Sequence, residues 1–317
     1  MILNVLLSIL GFALLIKSAD FFVDGASAFA INLKISPLLV GLTIVSFGTS
    51  APELAISFSS HISGNTDMMF GNVVGSNIAN VFMILGLAVF IMPFSIEGDA
   101  IKKQIPILFL VTIGFSVLFL NSVFYSGEAN GLTRSDGIIL LLFFAVFIYY
   151  LITMLFERNT NAETASPKYK LIFSIVILAL GLGGVIIGSE LVVRNMAELA
   201  ERIGISQKII AVTIISIGTS LPELATTIIA AKKGENGMAI GNIVGSNIFN
   251  IAIVLGLPVV VLGEVTTAAF GIVDIIFLLT AVAVLWVFAG TGRKLKRAEG
   301  AVLMAFYVAY AVFVFLQ

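Results

Sequence analysis

The chain has no cysteine, one histidine (His61) and one tryptophan. Without cysteine, disulfides, thiol nucleophiles and thiolate metal centres are excluded. A single imidazole leaves no nitrogen–sulfur ligand set for zinc or copper. Charge is scarce too. Asp, Glu, Lys and Arg make up 11% of the 317 residues, where soluble domains carry about 25%. The 17 basic and 18 acidic residues nearly cancel, so no basic field points to nucleic acid. With 59% hydrophobic residues, there is too little polar surface to wrap a water-soluble core, and disorder is excluded by the same composition.

What is present is a series of long apolar runs. A membrane helix needs about 20 apolar residues to cross roughly 30 Å of hydrocarbon. Ten runs qualify as spans, near 3–22, 37–60, 68–92, 105–121, 136–155, 171–191, 208–231, 238–262, 270–289 and 300–316. The first lacks the basic flank and small-residue cleavage site of a signal peptide, and it has a counterpart at 171–191. Lys and Arg at 34, 102, 103, 158, 168, 170, 232, 233, 293, 294, 296 and 297 fall on one set of loops, and those at 134, 194, 202 and 208 on the other. The positive-inside rule then predicts a multi-pass protein with both termini outside. The polar stretch 156–170 reads as a short cytoplasmic linker between residues 1–155 and 171–317.

These two halves repeat each other. At a constant offset of 170, Thr43–Leu87 aligns with Thr213–Leu257 without a gap, and 23 of 45 positions are identical. Gly48–Ala55 reads GTSAPELA and Gly218–Ala225 reads GTSLPELA; Gly71–Asn80 reads GNVVGSNIAN and Gly241–Asn250 reads GNIVGSNIFN. Asp20 falls opposite Glu190, and Arg134-Ser-Asp-Gly137 resembles Arg297-Ala-Glu-Gly300. Five spans per repeat is an odd number, so the second repeat enters from the opposite face. The expected fold is an all-α polytopic membrane protein of ten helices in two inverted five-helix repeats, an architecture of secondary transporters.

Glu53 and Glu223 lie deep in the second and seventh runs. A charge at mid-bilayer costs at least ~2.5–3.5 kcal/mol, and no Lys or Arg lies at comparable depth in the second, third, seventh or eighth spans. A bound cation or protons would supply the counter-charge. Gly48 and Pro52, and Gly218 and Pro222, interrupt the helices around the two carboxylates. Such breaks free backbone carbonyls where they line a cavity. Ser46, Thr49 and Ser50 lie seven, four and three residues before Glu53, and Ser216, Thr219 and Ser220 repeat the pattern before Glu223. The competing structural reading is a capping box, Ser50-Ala-Pro-Glu53, that merely restarts a helix. Ser76, Asn77 and Asn80, with Ser246, Asn247 and Asn250, either add ligands or bond between helices. Gly71 and Gly75, and Gly241 and Gly245, read as close-packing pairs. Carboxylate, amide, hydroxyl and carbonyl oxygens suit Ca²⁺, which takes about 6–8 oxygens in flexible geometry, and Na⁺.

The paired GTSAPE/GTSLPE and GNVVGSNIAN/GNIVGSNIFN motifs resemble the two α-repeats of the cation/calcium antiporter superfamily, most strongly its prokaryotic sodium/calcium exchangers. That resemblance implies Na⁺/Ca²⁺ exchange in a prokaryotic cell membrane, with Glu53 and Glu223 as central ligands. Thr49 and Thr219 would supply carbonyls, Ser50, Ser220, Ser76 and Ser246 would help form Na⁺ sites, and Asn80 and Asn250 would flank the centre. It also implies that the first and sixth spans slide as a pair. Some relatives carry Asp at one of the positions of Asn80 and Asn250; here neither can ionise. Proton-coupled relatives carry an ionisable group where this chain has Ser-Asn, which favours Na⁺ coupling. The alternatives are a H⁺/Ca²⁺ exchanger, a cation channel and an intramembrane enzyme. No Ser/His or metal constellation supports an enzyme. With no P-loop, ATP drive is not expected, nor is any cofactor or obligate protein partner.

Overall fold

The computed structural model describes residues 1–96, 98, 100–124, 129–156, 166–204, 216–292 and 294–316, with the side chains of Phe124, Phe156 and Ser216 excepted. Helix α1, Ile2–Leu33, runs 32 residues and closes on Lys34, whose left-handed backbone (φ 58) returns its N–H to Ala30 and Ile31. At about 1.5 Å per residue this is some 48 Å, longer than the hydrocarbon thickness. Ser36 then caps α2, Pro37–Val40, accepting the Leu39 N–H at 3.1 Å with Pro37 in the first turn. A π turn, Gly41–Val45, leads into α3, Ser46–Thr49. The helix breaks at Ser50 (φ −86, ψ 5) and resumes, bent by 42°, as α4, Ala51–Ile62.

Helix α5, Thr66–Ala79, is capped by Asn65 and runs through a π turn, Asn80–Leu85, into α6, Gly86–Ile91. A further π turn at Ala100–Gln104 precedes α7, Ile105–Phe119. Then come α8 (Asn121–Phe124), strand β1 (Asn130–Leu132), α9 (Arg134–Phe156) and the 32-residue α10 (Leu171–Arg202). The second half repeats the succession: α11, Ser216–Thr219; a break at Ser220 (φ −86, ψ 4); α12, Leu221–Lys232; α13, Asn236–Phe249; a π turn, Asn250–Leu255; and α14, Gly256–Leu262. Strand β2 (Val265–Thr267), α15 (Ile272–Gly292) and α16 (Arg297–Leu316) complete the chain. The 170-residue offset carries the first break onto the second, and the π turn at Asn80 onto that at Asn250. The two strands form a short antiparallel ribbon, Asn130 opposite Thr267, a small addition to an otherwise helical fold.

Among the described residues, eight helices are long and apolar enough to cross a membrane, and the bent pair Pro37–Thr49 with Ala51–Ile62 makes a ninth. The seventh expected span, 208–231, begins outside the described residues; α11 and α12 are its described part. Part of the expected linker, residues 157–165, also lies outside them. Leu142, Val146, Tyr149, Phe173 and Leu180 are exposed on long helices, the apolar exterior that lipid requires.

The chain divides into two compact units, each drawing on both halves of the sequence: Met1–Pro52 with Glu157–Asn242, and Glu53–Phe156 with Ile243–Gln317. In the first, α1 and α10 lie antiparallel in close contact. A Cβ on Gly181 would stand 2.5 Å from the Phe22 nitrogen, and one on Gly25 would stand 2.6 Å from that of Leu178, so only glycine permits this approach. Leu15, Ala19 and Val185 form a core against Leu221, Ala225 and Ile229 of α12. At one end Lys233 binds Asp20 (2.7 Å) and Asp24 (2.6 Å), and Lys168 also pairs with Asp24. Asp20, which the repeat sets opposite Glu190, belongs to this group.

In the second unit the same device appears twice. A Cβ on Gly300 would lie 2.7 Å from the Gly86 carbonyl, and one on Gly137 would lie 3.0 Å from that of Gly256. Those glycines stand at matching places in the two repeats. Phe70 of α5 packs on Phe119 of α7 with ring centroids 4.9 Å apart, Phe115 stacks on Phe119, and all three are fully buried.

Candidate ion-binding site

In the first unit, the two helix breaks bring polar residues of opposite repeats together. Pro222 has no N–H, so the Gly218 carbonyl loses its helical donor; the Ser189 hydroxyl of α10 supplies one at 2.9 Å. Ser50, at the first break, donates its hydroxyl to Glu223 Oε1 across 3.1 Å. Both residues are buried, and Glu223 is wholly so. Ser220 makes no capping bond with its side chain, and its hydroxyl has no partner among the described residues. At Ser220, then, the side chain does not cap the helix that follows. Thr49 and Ser46 are fully buried beside them and Thr219 nearly so; the side chain of Ser216 lies outside the described residues.

Thr49 donates its hydroxyl to Asn242 Oδ1 (3.2 Å), while Asn242 Nδ2 reaches the Glu223 carbonyl (3.5 Å) and Thr227 Oγ1 (3.0 Å). Asn242 had no place in the ligand set expected from the sequence. Its signal was available, since GN opens the duplicated motif in both repeats, but spacing alone gives no direction to an amide.

The second unit holds Glu53 in the first turn of α4, wholly buried. Its carbonyl accepts Asn72 Nδ2 at 3.0 Å, and the same amide reaches Ser57 Oγ at 3.3 Å. Asn77 and Asn247 form a reciprocal clamp between α5 and α13: Asn77 Nδ2 donates to the Asn247 carbonyl at 3.3 Å, and Asn247 Nδ2 to the Asn77 carbonyl at 3.1 Å. For this pair the interhelical reading is the one observed. Asn80 Nδ2 donates to Asn247 Oδ1 at 2.9 Å, which leaves Asn80 Oδ1 directed elsewhere. Asn80 and Asn250 each begin a π turn, a distortion frequent at functional sites. Among the described residues, Ser76 Oγ, Asn77 Oδ1, Asn80 Oδ1 and both amide atoms of Asn250 are buried with no protein partner. Buried polar atoms are normally satisfied, so oxygens left this way suit a ligand that brings its own positive charge. Ser246 is fully buried on α13.

Carboxylate, amide and hydroxyl oxygens form a hard donor set, matched to Ca²⁺ or Na⁺ and not to a soft metal. No group of three or more His, Cys, Asp or Glu that could hold a metal occurs among the described residues.

A duplicated, inverted set of membrane helices with buried oxygen donors at helix breaks defines a secondary ion transporter. The chain belongs to the sodium/calcium exchanger protein family, whose sequence profile matches residues 3–153 and 173–316. It is 33% identical to the sodium/calcium exchanger MaX1 of Methanosarcina acetivorans over 98% of both chains. It is 27% identical to the Ca²⁺/H⁺ antiporter ChaA of Bacillus subtilis, over 92% of this chain and 87% of that one. Solved structures of the sodium–calcium exchanger NCX_Mj superimpose with a TM-score of 0.85 at 30% identity, covering 98% of each chain. These relatives are ion exchangers and not enzymes.

Proposed function

We propose that this protein exchanges Na⁺ for Ca²⁺ by alternating access, in a prokaryotic cell membrane with both termini outside. Glu53 and Glu223 are the central ligands, one from each repeat. Thr49 and Thr219 contribute carbonyls; Ser46, Ser50, Ser76, Ser216, Ser220 and Ser246 contribute oxygens; and Asn80 and Asn250 flank the centre. Residues 1–155 and 171–317 act as the two repeats, joined by 156–170. The carrying observation is the buried bond from Ser50 of one repeat to the Glu223 carboxylate of the other, each at a break in its helix. The unpartnered oxygens of Ser76, Asn80 and Asn250 add to it. Two carboxylates give a formal charge of −2, which one Ca²⁺ neutralises. Without a cation that charge resists crossing a low-dielectric interior, and the penalty enforces exchange over leak.

Purified protein in liposomes tests the reading. An outward-directed Na⁺ gradient at constant pH is expected to drive Ca²⁺ uptake. Uptake driven only by a pH gradient would instead establish proton exchange, the reading that the likeness to ChaA favours. Uptake without any counter-ion would establish a channel.

A further inference from the structure

Two buried asparagines outside the ligand set make the same contact in both repeats. Asn72 on α5 and Asn242 on α13 each send Nδ2 to the carbonyl of a glutamate 19 residues earlier, and to a hydroxyl 15 residues earlier. The glutamates are Glu53 and Glu223; the hydroxyls are Ser57 and Thr227, one helical turn beyond them. Neither asparagine is more than 7% exposed. Asn242 also takes the Thr49 hydroxyl into its Oδ1.

We infer that Asn72 and Asn242 are positioning residues that set the depth and rotation of the two glutamate-bearing turns, and with them the affinity for transported cations. The physical need arises from the helix breaks. Just after a break, the first turn has no preceding ladder to hold it, and Pro52 and Pro222 remove one more donor from each. The N–H groups of such a turn lack the helical acceptors that hold a turn in mid-helix. An amide with two donors, one on the glutamate carbonyl and one on the hydroxyl a turn later, resists shifts along and around the helix axis. Through Oδ1, Asn242 further fixes the Thr49 turn of the opposite repeat, so two sets of ligands are placed by one side chain.

This rests on the ion-exchange reading, and the experiment separates the two. Asn72→Leu and Asn242→Leu keep side-chain volume and remove the amide; Ser57→Ala and Thr227→Val remove only the second anchor. For each, the KM for Ca²⁺ and for Na⁺ is measured in liposomes, together with the melting temperature with and without Ca²⁺. Partners that orient metal ligands are typically worth about 10- to 100-fold in affinity. The leucine variants are therefore expected to raise both KM values about 10-fold or more, change the maximal rate less, and shrink the Ca²⁺-induced gain in melting temperature. The anchor variants are expected to shift KM in the same direction by less, and they carry the test if a leucine variant does not fold. Variants that melt earlier but keep wild-type KM values and the full Ca²⁺-induced gain would overturn the inference, since the amides would then only hold helices together. Wild-type protein that shows neither exchange nor a Ca²⁺-induced gain would instead overturn the ion-exchange reading.

Discussion

Glu223 shows how the residues of this site were chosen. A buried carboxylate is costly unless it meets hydrogen bonds or a cation, and the Ser50 hydroxyl meets one of its oxygens at 3.1 Å. Glutamine has almost the same shape and no charge. Glu53→Gln and Glu223→Gln are each expected to abolish Ca²⁺ exchange while the protein still elutes and melts as a folded species; retained exchange in either variant would remove that residue from the site. Ser50→Ala takes away a hydrogen bond to a charged group, worth about 1.5–3 kcal/mol, and is expected to weaken Ca²⁺ binding by about 10-fold or more in an equilibrium ⁴⁵Ca assay. The carboxylates and the motif serines and threonines were legible in the sequence because charge in an apolar run has few explanations. The direction of each amide was not. Asn77 and Asn247 clamp helices, Asn72 and Asn242 brace the glutamate turns, and Asn80 and Asn250 leave oxygens unsatisfied, yet all six look alike in a motif.

Helices meet in this fold through glycine and through charge at their ends. The crossing of α1 and α10 leaves no room for a methyl at Gly181, where the Phe22 backbone lies 2.5 Å from the position of a Cβ. Gly181→Val is expected to force these helices apart and lower the melting temperature by several degrees, in keeping with an overpacking cost of about 1–3 kcal/mol. A variant that melts like the wild type would show that the pair can separate freely. Within α1, Asp24 sits between Lys168, which precedes α10, and Lys233, which follows α12. Its hydrogen bond holds Lys168 above the ordinary lysine range. A raised lysine contributes its stability below the ordinary value and loses it only as pH rises through the raised one, so this link persists across neutral pH. Lys233 is 25% exposed, and exposed pairs are worth about 0–1 kcal/mol. Lys233→Met is accordingly expected to cost no more than that, with a loss that fades as salt is raised in the melting buffer. Glycine at Gly86, Gly137, Gly256 and Gly300 was visible as repetition, but its partner helices were not. The π turns at Asn80 and Asn250 left no trace in sequence periodicity, because α6 and α14 beyond them are apolar on every side and a shift of helical phase has no polar stripe to displace.

Across the whole molecule, duplication in sequence and compactness in space follow different lines. Each compact unit combines helices from both halves: α1 needs α10, and α9 meets α14 through Gly137 and Gly256. Residues 1–155 or 171–317 expressed alone are expected to yield no monodisperse folded protein, whereas co-expression of both restores it; a stable isolated half would show that the repeats fold independently. The sequence by itself determined that the protein lives in a membrane, that it is an inverted duplication, and that two acidic residues lie at depth beside prolines. Those are consequences of composition, an odd number of spans and the cost of charge in hydrocarbon, all of which act locally or by counting. Only the tertiary structure decided that Ser50 of one repeat bonds Glu223 of the other, that helices from opposite halves share a unit, and which asparagines reach a glutamate carbonyl, which bond each other across helices and which keep buried atoms without a protein partner. Those outcomes depend on distances between residues far apart in the chain, and apolar periodicity carries no information about such distances.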